Sequence, residues 1–476
     1  MRMRYLIERI CFACMVLCAC LDDHTSLGDR ELSEITILAD RDTLTAYFGE
    51  EFVMKSLQVE QSGEELPLTY EWSYGTLNLV NEEMASYPIK DSLHVVSHDP
   101  ELKYAFRELG TFGLRLRVEN GQTVRYKYFV LHVDTEFGEG ITVLSRDETG
   151  KGRISFMRPL TKEEINDGEE PVFRTDIMDL INPMIEMEDV TDMVQAGNRL
   201  LVCSGNTGRI YNMDSRTFDI EGMTSFKGTF PGCAFINFAG ISSQNNMYLV
   251  SEDRRGYVYD FMLDELVLTD YFEELNVDAA VACDKPIFVD YETSTFYSPK
   301  TGGVNSSLAR YADFDILSIC PVGTKMYVIA THKLMSSYLY LSWTTSSLGN
   351  PTILHLYDAS LPIKVNRNTL LAGSNPCECL YYTCDDGIYC WDLKQKLPTT
   401  PVIQIPSGME VTSLSMDAEE KLLYVGLYEK DRVGELKGHL YIYDVKTAAL
   451  VDKYYEIADK PVKIVYKKTS VVKLAT

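Results

Sequence analysis

Leu423-Tyr424-Val425 and, after a polar turn, Gly438-His439-Leu440-Tyr441-Ile442-Tyr443-Asp444 form a strand–turn–strand unit near the end of a chain of 476 residues. Aliphatic and aromatic residues of this kind suit a pleated, packed surface, and the second strand opens on glycine. The same unit recurs upstream: Leu200–Cys203 with Gly208–Tyr211, Met247–Val250 with Gly256–Asp260, and Leu380–Tyr382 with Gly387–Asp392. Weaker copies are Ile141–Leu144 with Gly152–Phe156, Ile287–Val289 with Phe296-Tyr297, and Met326–Ile329 with Tyr338–Leu341. These seven hairpins are spaced at about 40–50 residues, the length of a four-stranded propeller blade. Val190–Val194, Ala279–Ala282, Ile316–Cys320 and Val411–Met416 supply an extra strand ahead of four of them. The first hairpin has no such partner upstream. Pro461–Tyr466, left over at the carboxyl end, is therefore expected to complete the first blade and close the ring, which removes exposed sheet edges. The reading is a β-propeller over 139–467 with seven blades, six or eight being the alternatives, and a tail over 468–476. No long amphipathic helical pattern competes with it.

Residues 31–135 carry a different pattern, short alternating runs separated by turn signals, which predicts an all-β sandwich. Ile35–Leu38 and Leu68–Tyr74 are strands, the latter with Tyr70, Trp72 and Tyr74 on one face. In Leu109–Val118, Leu114, Leu116 and Val118 alternate with Arg115 and Arg117, so one face is buried and the other wet. Asn120-Gly121 is expected to make a two-residue hairpin turn into Val124–Val133. Trp72 is read as a core anchor. The fold class is thus all-β: an amino-terminal sandwich followed by a propeller.

The chain carries 45 Lys+Arg against 70 Asp+Glu, a formal charge of -25. Such an acidic excess repels phosphate backbones, and no basic cluster offsets it, so nucleic acid is excluded as a partner. Arg2, Arg4 and Arg9 precede a short apolar run, Ile10–Ala19, in the arrangement of a cleaved targeting segment over 1–19. Leu17-Cys18-Ala19-Cys20 resembles the lipobox of bacterial lipoproteins, with small Cys18 where Ser, Ala or Thr is commoner. The resemblance implies acylation of Cys20, a tether over 20–30, and membrane attachment through lipid alone. Leu21-Asp22-Asp23 resembles the export signal of surface lipoproteins in Bacteroidota-type bacteria. It implies an outer-membrane address on the cell surface, the periplasmic face being the alternative.

Tyr70-Glu71-Trp72 and Gly110-Thr111-Phe112 through Val118 resemble the two marked strands of a PKD (polycystic kidney disease) domain, an Ig-like module used mostly as a spacer or adhesion element. Tyr443-Asp444-Val445-Lys446-Thr447 resembles the strand-turn of quinoprotein-like repeats, and Trp391-Asp392 that of WD40 repeats. Lipobox, PKD-like sandwich and degenerate propeller together resemble the PKD-like lipoproteins of Bacteroidota, encoded beside Sus-type nutrient-uptake machinery. That family supplies no catalytic residues to carry over.

Reactive residues point to no chemistry. Cys377, Cys379, Cys384 and Cys390 lack the C-x₂-C pairs of a zinc site. They read as packed blade thiols, with a cross-strand disulfide as the alternative. Of the seven histidines, His94 and His98 are four apart but not on a helix, and His439 reads as a strand surface residue. Nucleophile elbow, Walker loop and dinucleotide glycine motif are all absent from the sequence. Trp343 and Trp391 are too few to dock a quinone, so no cofactor and no metal is expected. The acidic stretch from Lys162-Glu163-Glu164 to Glu169-Glu170 lacks calcium spacing and reads as a solvated loop. Tyr271-Phe272, Tyr291 and Tyr357 are the aromatics placed to stack on a sugar or hold a peptide.

The function expected is that of a non-catalytic binding or accessory lipoprotein. Its partners would be a glycan or peptide, the membrane, and a Sus-type transporter complex. A propeller hydrolase or lyase acting on polysaccharide, and a protein–protein scaffold, are the alternatives.

Overall fold

The computed structural model describes residues 32–468 apart from 55–56, 78–92, 206–207, 226–234, 242–245, 252–253, 261–264, 269–275, 283–285, 299–305, 335–336, 345–351, 359–364, 385–386 and 395–397. The lipobox with Cys20, His24, Cys233, Tyr271-Phe272 and Cys283 lie outside the described residues. Two compact units meet between Asp134 and Thr135.

In the first unit a five-stranded sheet runs in the order Thr43–Tyr47, Val124–Asp134, Gly110–Glu119, Thr69–Thr76, His94–Ser97. Thr43–Tyr47 lies parallel to Val124–Asp134, and the other pairs are antiparallel. A smaller sheet joins Ile35–Ala39 to Leu57–Gln61. One core ties the two together through Ile35, Trp72, Leu114, Leu116, Val118, Phe129 and Leu131. The fully buried Trp72 donates Nε1–H to the Asp99 carbonyl at 3.1 Å, so its polar edge is satisfied. Alternation therefore reads as it should, leucines in and arginines out.

The turn differs from its expectation. Glu119 pairs with Val124, leaving four loop residues instead of two, and only Gly121 has positive φ. Asn120 is buried, its Oδ1 accepting from the backbone of Gln122 and Thr123 while its Nδ2 donates to the Ser33 carbonyl. Its side chain knits the loop to the first strand, a role that backbone tolerance alone does not predict.

The second unit contains seven four-stranded antiparallel sheets among the described residues. Blades 2 to 7 are consecutive meanders beginning at Val190, Phe235, Ala279, Phe314, Leu371 and Glu410. Blade 1 is assembled from both ends: Lys460–Lys468 pairs with Glu139–Arg146, followed by Lys151–Met157 and Met187–Glu188. Each first strand touches the first strand of the next blade, and Lys460–Lys468 touches those of blades 7 and 2, so the ring is closed.

Apolar clusters fill the seams between blades. Leu201, Ile210, Met247, Leu249, Tyr257 and Tyr259 join blades 2 and 3, and Leu440, Ile442, Val143 and Ile464 join blades 7 and 1. The repeat glycine has a steric cause. A Cβ on Gly438 would sit 2.0 Å from the Asp459 carbonyl oxygen, and one on Gly256 2.3 Å from the Phe288 ring. That strand start passes directly against the neighbouring blade, which only glycine permits. At the seam of blades 1 and 2, Phe137, Phe156 and Phe218 meet edge to face. The fully buried Lys467 places Nζ 3.6 Å from the Phe218 ring centroid and donates to the Ser215 carbonyl.

The acidic stretch is ordered, which corrects its reading as a loop. Lys162–Asp167 is a short helix with a capping box, Thr161 and Glu164 bonding reciprocally to each other's backbone, and Gly168 closes it in the left-handed region.

Ile464→Ala should cost about 2–4 kcal/mol in urea-induced unfolding, because it empties a closed seam. Val172→Ala, at a residue 73% exposed, should stay within about 0.5 kcal/mol of the parent.

Candidate functional site

Strands alternate in direction within a blade, so the link from its second to third strand emerges on the same face as the link onward to the next blade. That face carries the main charged clusters. At the seam of blades 7 and 1, the turn Asp147–Gly150, the loop 429–437 and the single linking residue Asp459 enclose a groove of about 250 Å³.

Fixed ion pairs line it. Arg146 Nη1 lies 3.0 Å from Asp189 Oδ1, Lys437 Nζ 3.0 Å from Glu148 Oε1, and Lys460 Nζ 3.4 Å from Glu410 Oε2. Lys460 also sits 5.5 Å over the Tyr428 ring. Asp459 Oδ2 accepts from Arg153 Nε at 2.9 Å. Asp147 Oδ1 accepts from the Thr149 hydroxyl at 2.7 Å and from the amides of Thr149 and Lys151 at 2.8 and 2.9 Å. Partial burial pushes the Asp147 carboxyl up, but these hydrogen bonds outweigh it and hold the group below its usual range.

The wall formed by loop 429–437 hangs on polar contacts, half-exposed at Arg432 and buried at His439. Arg432 bridges Glu429 at 2.9 Å and Glu456 at 2.8 Å. His439 Nδ1 accepts from the Glu456 amide at 3.0 Å, and its Nε2 lies 3.5 Å from Glu429 Oε2. His439 is fully buried, contrary to its reading as a surface residue. Both faces of its strand are covered, one by each adjacent blade.

A second cluster occupies the same face at blades 3 and 4. Arg254, at φ 63°, meets Asp278 at 2.7 Å, Asp290 at 2.9 Å and Glu292 at 2.7 Å. A non-glycine residue in that conformation is strained, and three carboxylates hold it there. Arg367 lies 5.1 Å over the ring of Tyr291, whose phenol is pushed up to about 12 by burial and by Asp278. Tyr291 is thus committed to a cation and is only partly open for stacking.

The regular structure is nearly all β, and the repeated sheets close into a ring. The fold is a β-propeller. A solved structure from Bacteroides thetaiotaomicron, described as a quinonprotein alcohol dehydrogenase-like protein, is similar at a TM-score of 0.52 and 13% identity, covering 89% of this chain and 96% of that one. No family model matches the chain, and no curated protein matches it. At that identity the likeness concerns fold alone.

Among the described residues, neither tryptophan side chain, Trp72 or Trp391, offers an open face to a planar quinone. Trp391 is buried in the seam of blades 5 and 6, edge-on to Tyr327, and Trp343 and Tyr357 lie on strands whose side chains are outside the described residues. Cys377, Cys379 and Cys390 pack toward blade 7 while Cys384 faces blade 5, all four as free thiols. Cys377, Cys379 and Cys390 lie together on one face, Cys379 against Cys390, and only Cys384 stands apart; no grouping of His, Cys, Asp and Glu fit for a metal occurs among the described residues. His98 Nδ1 lies 3.2 Å from the Tyr70 carbonyl, and His94 packs beside Tyr74.

Motif searching passes over the groove because its parts come from 146–149, 428–437 and 459–460. The closing strand was the available signal, since it brings these positions together.

Burial, aided by Arg432, holds the His439 ring below its ordinary value of 6.5, with Glu429 and Glu456 opposing. The folded state therefore takes up a proton less readily than the unfolded chain. Stability should be full above 6.5 and fall as pH drops from there through the lowered folded value. His439→Gln should flatten that part of the stability–pH curve, measured by urea unfolding at successive pH values.

Proposed function

We propose that the protein is a lipid-anchored, extracytoplasmic binding or accessory component of a bacterial nutrient-uptake system, acting through the charged face of its propeller on a glycan or peptide. One observation carries this reading: the groove between blades 7 and 1 holds its cations in fixed ion pairs and its Asp147 carboxyl below the usual range. General acid catalysis needs a carboxyl raised toward the working pH. Groups locked in this way present a rigid set of hydrogen-bond donors and acceptors, which suits recognition. The anchor rests on Leu17-Cys18-Ala19-Cys20, and no helix among the described residues is long and apolar enough to cross a membrane.

The soluble form beginning after Cys20 should bind saturably on a glycan array or a peptide-pool array without consuming the ligand. Lys437→Ala combined with Lys460→Ala should weaken that binding about tenfold or more. Turnover of any arrayed compound, or silence on both arrays, would overturn the reading. In cells, labelling with a fatty-acid probe should tag the native chain and be lost in Cys20→Ser; equal labelling of both would remove the anchor.

A further inference from the structure

We propose that the sandwich is itself a binding module, with a site for neutral, extended glycan chains on the outer face of its five-stranded sheet around Tyr126 and Tyr128. The inference goes beyond the propeller groove, because it concerns the other unit, which its sequence marks as a spacer.

Tyr126 and Tyr128 are two apart on the strand Val124–Asp134, so both point away from the core that holds Phe129 and Leu131. Their ring centroids are 6.4 Å apart and their planes inclined by only 24°. Tyr126 is 48% exposed and presents ring surface to solvent. The rings are held in place. The Arg115 guanidinium lies 5.4 Å over the Tyr126 ring, and Arg117 stands directly opposite Tyr126 in the register.

Polar groups flank the rings in matched pairs. Arg115 Nη2 donates to Glu71 Oε1 at 2.8 Å, and Arg117 donates to Glu119. Each pair sets a donor beside an acceptor, and the strip they form is neutral overall. That charge balance selects the occupant. The vicinal hydroxyls of a sugar both donate and accept, and an uncharged chain pays no repulsion to a protein of net charge -25. An anionic polymer would meet no excess of cations here. With one face of Tyr126 under Arg115, its other face and the neighbouring Tyr128 ring offer apolar surface to the sugar rings of an extended chain, while the Arg–Glu pairs take the hydroxyls along its edge. Aromatic anchors pre-set by their neighbours lose little freedom on binding.

Affinity electrophoresis of the purified protein tests this, in native gels cast with glucomannan, xylan, mixed-linkage β-glucan or, as the anionic control, polygalacturonate. The wild type should be retarded by at least one neutral glycan. Tyr126→Ala with Tyr128→Ala should weaken that retention about tenfold or more, whereas Tyr128→Trp, which keeps a ring, should preserve it. Tyr126 is exposed and Tyr128 half-buried, and neither belongs to the core cluster, so each variant should keep a cooperative thermal transition close to the parent's. Should the double alanine variant fold poorly, Tyr126→Gln alone at parental stability gives the same reading. The groove variant Lys437→Ala/Lys460→Ala should be retarded as strongly as the parent, which separates this site from the propeller. Free migration in every neutral gel, retention by polygalacturonate alone, retention that survives loss of both rings, or loss of retention in the groove variant would each overturn the proposal.

Discussion

The antiparallel pairing of Lys460–Lys468 with Glu139–Arg146 removes the two sheet edges that a linear array of blades would leave open. The rest of the second unit depends on it. Without the closing strand, blade 1 would lack its innermost member, and Ile464 would leave the cluster it shares with Val143, Leu440 and Ile442. The same pairing sets Asp459 and Lys460 beside the turn at Asp147, so the groove forms only because the ring does. Closure and candidate site are one structural event, fixed by contacts between residues some three hundred positions apart.

Once the ring is closed, every blade is a slab pressed between two others, and this governs which sequence signals stay readable. Strand content and repeat were legible because the repeat glycine marks a crowded strand start: Gly256 and Gly438 press on the neighbouring blade or the link to it, and Gly387 on the last strand of its own blade, spots that tolerate no Cβ. Burial was less legible. In a sheet with one wet face, alternation separates inside from outside, as it does for Leu114 to Val118. In Gly438–Asp444 all but the last residue are buried, so His439 cannot be told from a surface residue by parity. Local chemistry was misjudged in two places for related reasons. Asn120 acts through its side chain on a distant strand, and the helix at Lys162–Asp167 is fixed by a Thr161–Glu164 box within a run whose charge suggests only solvation.

The candidate site was the least legible part, and its composition explains why. Arg146, Asp147, Lys437, Asp459 and Lys460 are ordinary surface residue types with no spacing motif to connect them. What distinguishes them is their mutual placement. The cysteines show the converse: Cys377, Cys379, Cys384 and Cys390 crowd together in sequence, yet strand geometry sends Cys384 to the opposite face of the blade from the others. Density along the chain is a poor guide to convergence when successive side chains alternate across a sheet.

The charge distribution joins these observations to function. A chain with 70 acids and 45 bases has carboxylates to spare, yet around the groove and at Arg254 cations are each bound to one or more of them. Arg254 is held by three carboxylates in a strained conformation at a blade seam, and Arg432 pins a loop between two. Cations spent on rigidity are not free to polarise a substrate, and acids that accept several hydrogen bonds are poor proton donors. Side chains already paired before a ligand arrives have less freedom to lose on binding. In such an arrangement, selectivity comes from where the paired donors and acceptors stand.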